Sequence, residues 1–212
     1  MSNGTVMTPI GALMFPKLFT AATNPANPTQ APRYSAMLAF DEAGVGSTAY
    51  QDLRKLVMEA IGKKFGAAKA ADANFVRGLR LPFRNAAEKT YNGLENANTF
   101  ISPWRNEADG APGVVDLAGT KIMVPSDVFA GQLARFTVRA FGYDSTGNRG
   151  VSFALEHVQI VKADMPRLDG RVVTNPEDAF AQADNSQLAA LGIDVNAVAA
   201  PAGNGDSKDF PF

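Results

Sequence analysis

QLARFTVRAFGY (Gln132–Tyr143) runs into DSTGNRG (Asp144–Gly150) and then VSFALEHVQIV (Val151–Val161). Two long runs rich in β-branched and aromatic residues flank a Gly/Asn-rich turn, the pattern of a β-hairpin. Side chains alternate across a strand. Ala134, Phe136, Val138, Ala140 and Gly142 therefore share one face, small and apolar, which suits a packed interior. Arg135, Thr137, Arg139, Phe141 and Tyr143 share the other.

Working outward, Thr8–Phe19 (TPIGALMFPKLF) reads as a strand, and Ala21–Pro32, with three prolines, as a loop. Arg33–Phe40 repeats apolar residues at period two and reads as another strand. Asp41–Gly46 reads as a turn. A helix follows, with Ser47 or Thr48 as its cap. Tyr50, Leu53, Leu56/Val57, Ala60/Ile61 and Phe65 form its apolar stripe, and Gly66 closes it. Val76–Leu81 and Thr99–Trp104 read as short strands, the second limited to an edge or bulge by Pro103. Ser126–Phe129 reads as one helical turn. Short strands with one central helix, unbroken by regular helical crossovers, predict a mainly β fold: a small β-barrel with inserted elements.

Composition narrows the chemistry. The 212 residues include no cysteine and one histidine, His157. Disulfides, Cys-ligated metals and multi-His metal sites are excluded. His157 stands between Glu156 and Val158 on a strand, with no Gly-x-Ser-x-Gly elbow to partner it. Asp144, Thr146 and Asn148 imitate a calcium loop, but Arg149 and Leu155 occupy the positions that need Gly and Glu. Gly44-Val45-Gly46-Ser47 lacks the Lys-Ser/Thr of a phosphate loop. No cofactor is expected. No signal peptide or membrane-spanning apolar run is present in the sequence, so a cytoplasmic protein without membrane contact is the expectation.

Residues 1–162 hold 17 Lys/Arg against 13 Asp/Glu, a charge of +4; residues 163–212 hold 3 against 8, a charge of −5, and the two give the chain's −1. On the basic part, one strand face sets guanidinium groups (Arg135, Arg139) beside rings (Phe141, Tyr143). Single-stranded nucleic acid asks for this mixture, because cations track phosphates and rings stack on bases. Lys17, Arg80, Phe83, Arg84, Lys89, Tyr91, Trp104, Arg105 and Arg149 are candidates to extend that surface. The Ala-, Asp- and Gly-rich segment 171–212 is expected to be a flexible acidic tail, with a weak helix around Pro176–Leu191 and a disordered end. Its tip, Asp206-Ser207-Lys208-Asp209-Phe210-Pro211-Phe212, puts an apolar end on an acidic tether, which suits docking into a partner's pocket through Asp206, Asp209, Phe210, Pro211 and Phe212.

Val128–Arg171 resembles the most recognisable stretch of a family of bacteriophage single-stranded-DNA-binding proteins. The resemblance rests on Phe129-Ala130-Gly131, Phe141-Gly142-Tyr143, Gly147-Asn148-Arg149-Gly150 and Leu155-Glu156-His157-Val158-Gln159. Arg80–Arg84, Pro112–Asp116 and the strand pair within 15–40 follow the family's order, so it covers most of residues 8–170. It departs from the commoner Asn-Asn before Val158, having Glu156-His157. The tip is similar to that of bacterial single-stranded-DNA-binding proteins, with Ser207 and Lys208 where acidic residues are usual.

The resemblance implies an OB-type five-stranded β-barrel over residues 1–170. It also implies non-catalytic binding of single-stranded DNA during phage replication and recombination, in the cytoplasm of the infected host. The tail would recruit a polymerase, nuclease or helicase, and a homo-oligomer is compatible with the sequence. The rival readings are a viral structural or assembly protein built on a β-barrel and, with less support, a Mg²⁺-dependent nuclease.

Overall fold

The computed structural model describes residues 4–25, 27–145 and 147–171. The tail, its weak helix and its tip lie outside the described residues. Nine strands form one sheet: β1 (Thr5–Met7), β2 (Gly11–Ala22), β3 (Arg33–Phe40), β4 (Arg84–Asn85), β5 (Thr99–Ile101), β6 (Trp104–Asn106), β7 (Gly113–Val115), β8 (Leu133–Ser145) and β9 (Asn148–Lys162). Four helices lie between β3 and β4: α1 (Glu42–Gly46), α2 (Thr48–Phe65), α3 (Ala67–Ala71) and α4 (Ala73–Arg77). The fold is mainly β with a few helices. Nine strands replace the five expected. The ring β2–β3–β6–β9–β8 does contain five, because β8 pairs with both β2 and β9. Of the other four, β5 falls within the expected Thr99–Trp104 strand, and β1, β4 and β7 have three residues or fewer, too short for a periodicity argument to detect.

The hairpin β8–β9 forms as the sequence requires, with register Arg139↔Ala154, Phe141↔Ser152 and Tyr143↔Gly150. Ala134, Phe136 and Val138 are buried, and so are Leu155, Val158 and Ile160 from the facing strand. The pairs Val138↔Leu155 and Thr137↔His157 leave Glu156 as an extra residue. This bulge lets Leu155 and Val158, three apart, both face inward. His157 stays outside, where its Nδ1 accepts a hydrogen bond from Gly113 N at 3.1 Å and so helps hold β7 against β9.

Helix α2 lays Tyr50, Leu53, Leu56, Val57, Ala60 and Ile61 on this core. Ser47 caps it by accepting from Tyr50 N at 3.2 Å, and Gly66 ends it at φ 93°. Burial of each large side chain contributes roughly 1.5–3 kcal/mol. The helix crosses β8 at Gly142, where a Cβ would stand 2.5 Å from Lys64 Cβ.

Three local expectations are corrected. Asp41–Gly46 is not a simple turn, because Asp41 Oδ1 accepts from Gly44 N at 2.8 Å and caps α1. Val76 and Arg77 belong to α4, not to a strand. Asp72 caps that helix through Asn74 N at 2.9 Å, and only Arg80 makes a β-bridge, to Gly150. Thr99–Trp104 is two strands. Pro103 has no N–H to offer a ladder, so pairing with β3 breaks at Ser102-Pro103 and resumes at Trp104.

Candidate nucleic-acid interface

The outer face of the ring carries a cleft of about 530 Å³. The segment 79–91 forms one wall and the outer faces of β3, β6, β8 and β9 the floor. Gly150 makes this wall possible. The Arg80 backbone lies against β9, donating to Arg149 O at 3.0 Å and accepting from Val151 N at 2.9 Å. A Cβ at Gly150 would collide with the Arg80 carbonyl and stand 2.7 Å from the Tyr143 hydroxyl. Phe83 follows three residues on and anchors the segment. Its ring packs on Tyr50 (5.2 Å between centroids) and Phe153 (5.7 Å). Phe83 is thus partly buried and packed against the core, and it does not line the cleft.

Six of the residues singled out in the sequence line this one cleft: Arg80, Arg84, Lys89, Tyr91, Trp104 and Tyr143. The three cations make no ion pair among the described residues, although Glu88 also lines the wall. Lys89 Nζ stands 5.9 Å from the Tyr91 ring centroid. Tyr91 is exposed.

Trp104 is held from three sides. Its Nε1 donates to Ser152 Oγ at 3.2 Å. The Phe141 ring meets it edge-on at 5.5 Å and 90°. The Arg33 guanidinium lies over the ring, 3.6 Å from its centroid, within the range of a cation–π contact. Burial lowers the pKa of Arg33 below the ordinary arginine value. The sequence reading missed Arg33. Its signal was available: Arg33, Ser35 and Met37 alternate on the outer face of β3, and Ser35 pairs with Trp104. Lys17 is exposed on the same cross-strand row, Lys17–Ser35–Trp104–Ala154–Arg139, read through four successive pairings.

The remaining candidates are placed differently. Arg105 and Arg139 border a smaller depression of about 370 Å³, together with Trp104, Phe141 and Glu156. Glu156, the bulged residue of β9, accepts from Arg139 Nε at 2.6 Å and from Arg105 Nη1 at 3.1 Å. Arg105 also donates to the carbonyls of Asp109 (2.6 and 3.2 Å) and Gly110 (2.8 Å), so it ties the 107–110 turn to the sheet. Arg135 donates to Gln159 Oε1 at 2.8 Å, and Gln159 in turn donates to Asp116 O at 3.0 Å. Arg149 sits at the hairpin end, its guanidinium 5.7 Å from the Phe75 ring centroid. Neither Arg135 nor Arg149 lines the cleft. No group of three or more His, Cys, Asp or Glu side chains comes together as a metal would require, among the described residues.

A mainly β unit with a cleft that mixes unpaired cations and rings defines the class, and comparison with known proteins assigns the family. Residues 5–189 match the family described as Enterobacter phage Enc34, ssDNA-binding protein, and the chain belongs to that family. Solved structures show the same fold. The single-stranded DNA-binding protein from bacteriophage Enc34 in complex with ssDNA aligns with a TM-score of 0.61 at 14% identity, over 78% of this chain and 90% of that one. Another structure of the Enc34 protein gives 0.59 at 16% identity, over 84% and 91%. Gp2.5, a single-stranded DNA binding protein encoded by bacteriophage T7, gives 0.53 at 16% identity, over 82% and 100%. No curated protein matches the chain.

Proposed function

We propose that this protein binds single-stranded DNA in the cleft beside Trp104, without catalysing a reaction. One observation carries the reading: Arg80, Arg84 and Lys89, without carboxylate partners among the described residues, line one cavity together with Tyr91, Trp104 and Tyr143. Cations at that spacing attract phosphates whatever the sequence, and every base has a face on which a ring can stack. Family membership and the fold shared with phage single-stranded-DNA-binding proteins support it. The five-strand ring with a helix between β3 and the later strands is read as an OB-type barrel, in which such a groove lies on a strand face. Lys17 and Phe141 are assigned to its margin.

The setting we infer is DNA replication and recombination of a phage in the cytoplasm of its bacterial host. Residues 1–170 would bind the strand and residues 171–212 would recruit replication proteins through the Phe210-Pro211-Phe212 tip. The test of the binding reading is a titration of the protein with oligo-dT, duplex DNA and RNA, followed by fluorescence of the single tryptophan. Oligo-dT is expected to quench Trp104 and to bind more tightly than duplex. Binding of duplex alone, or of none of the three, would overturn the reading.

A further inference from the structure

A second cavity, of about 570 Å³, adjoins the cleft, and Tyr91 lines both. Its floor is the bulge in β2. Pairing with β3 passes from Met14↔Met37 to Lys17↔Ser35, so β2 carries one residue too many between them. Phe15 takes up the excess at φ 47°, the one non-glycine residue with positive φ among those described. For a bulky residue this conformation is a genuine outlier and stores strain. At the bulge Phe15 is 51% exposed. The ring meets Tyr91 edge-on at 5.1 Å and 78°. An exposed ring held by a strained backbone beside a second exposed ring is a poor way to build a core and a good way to build a stacking platform.

The opposite wall carries two arginines and one carboxylate, Arg167, Arg171 and Asp169. The Arg167 guanidinium lies 4.2 Å from the Phe129 ring centroid and pairs with Asp169 at 2.8 Å. The Arg171 side chain makes no ion pair among the described residues. The backbone that carries this wall is fixed, because Leu168 N donates to Ala130 O at 2.9 Å.

We infer that the single strand leaves the cleft past Tyr91 and enters this second cavity, where Phe15 stacks on a further base and Arg171 meets its phosphate. The inference rests on the single-stranded-DNA reading and adds a second nucleotide subsite to it. Continuity through Tyr91 is what commits the cavity to the strand.

The test is the affinity of the full-length protein for oligo-dT of increasing length, from about 4 to about 16 nucleotides, the range of site sizes for such folds. Phe15→Gly removes the ring while tolerating the positive φ. It is expected to bind the shortest oligomers as the native protein does and to lose roughly tenfold on those long enough to reach both cavities. Arg171→Ala is expected to weaken the long oligomers alone and to make their salt slope shallower by about 0.7. Native affinity of both variants at every length would overturn the inference. So would an equal loss at all lengths, which would place Phe15 in the first subsite or in the fold. Neither result would touch the first cleft, whose occupancy Trp104 quenching reports separately. A native protein that binds no oligomer of any length would sink the parent reading instead.

Discussion

Two arginine-bearing regions lie side by side on one face of the sheet, with Trp104 between them. In the cleft, Arg80, Arg84 and Lys89 have no carboxylate partner among the described residues. In the adjoining depression, Arg105 and Arg139 converge on Glu156. Residue types are alike in both places, yet the electrostatic outcome is opposite. A guanidinium already paired with a carboxylate has spent much of its attraction for phosphate, and the carboxylate itself repels one. The difference comes from Glu156, which follows the buried Leu155 onto the outer face of β9 and stands between the two arginines.

The largest effect is expected from emptying the cleft of charge. Arg80→Ala, Arg84→Ala and Lys89→Ala combined should lower oligo-dT affinity at least a hundredfold at low salt. The slope of log K against log salt should become shallower by about 2, since each single-strand phosphate contact accounts for about 0.7. An unchanged slope in binding measurements across a salt series would break the comparison.

Next come the rings. Trp104→Ala and Tyr143→Ala should each cost about 1–3 kcal/mol of binding if they stack on bases. Thermal melting should show the Tyr143 variant folded as the native protein is. Trp104→Ala also frees Arg33 and Phe141, so its binding loss should be the larger of the two.

The smallest effects are expected in the depression, and in different observables. Arg105→Ala should cost about 1 kcal/mol of stability, because it removes bonds to the carbonyls of Asp109 and Gly110. It should leave the salt slope alone, as denaturant titration paired with binding would show. Glu156→Gln should tighten binding a few-fold and steepen the slope by up to about 0.7, because it releases Arg139. A weaker-binding Glu156→Gln would mean that the paired geometry itself serves the strand.

How much of this was legible from the amino acids follows from what each feature depends on. The hairpin, β3 and α2 rest on periodicities of several turns or repeats, and their apolar faces emerge as buried sets. β1, β4 and β7 exist only because a longer strand stands beside them to pair with. No local pattern announces a strand of that kind. The six cleft residues come from three separate segments, 79–91, β6 and β8, and their residue types alone marked them. Whether they meet was a matter of topology, set by the Arg80–Gly150 bridge. Phe83 resembles its neighbours in sequence, yet its ring turns to Tyr50 and Phe153. Arg33 was overlooked because its partner, Trp104, is 71 positions away and is reached only through β3–β6 pairing. Phe15 carried no sequence signal, since a bulge is visible only once two strands are in register.

The central claim is that the unpaired cations of the cleft, rather than the paired ones of the depression, hold the phosphates. The measurement that tests it most directly is the salt slope of oligo-dT binding for the native protein, the triple cleft variant and an Arg105→Ala/Arg139→Ala variant, all followed by Trp104 fluorescence. The account predicts a slope shallower by about 2 for the cleft variant and little change for the other. The reverse pattern, with the slope lost when Arg105 and Arg139 are removed and kept when Arg80, Arg84 and Lys89 are, would contradict it.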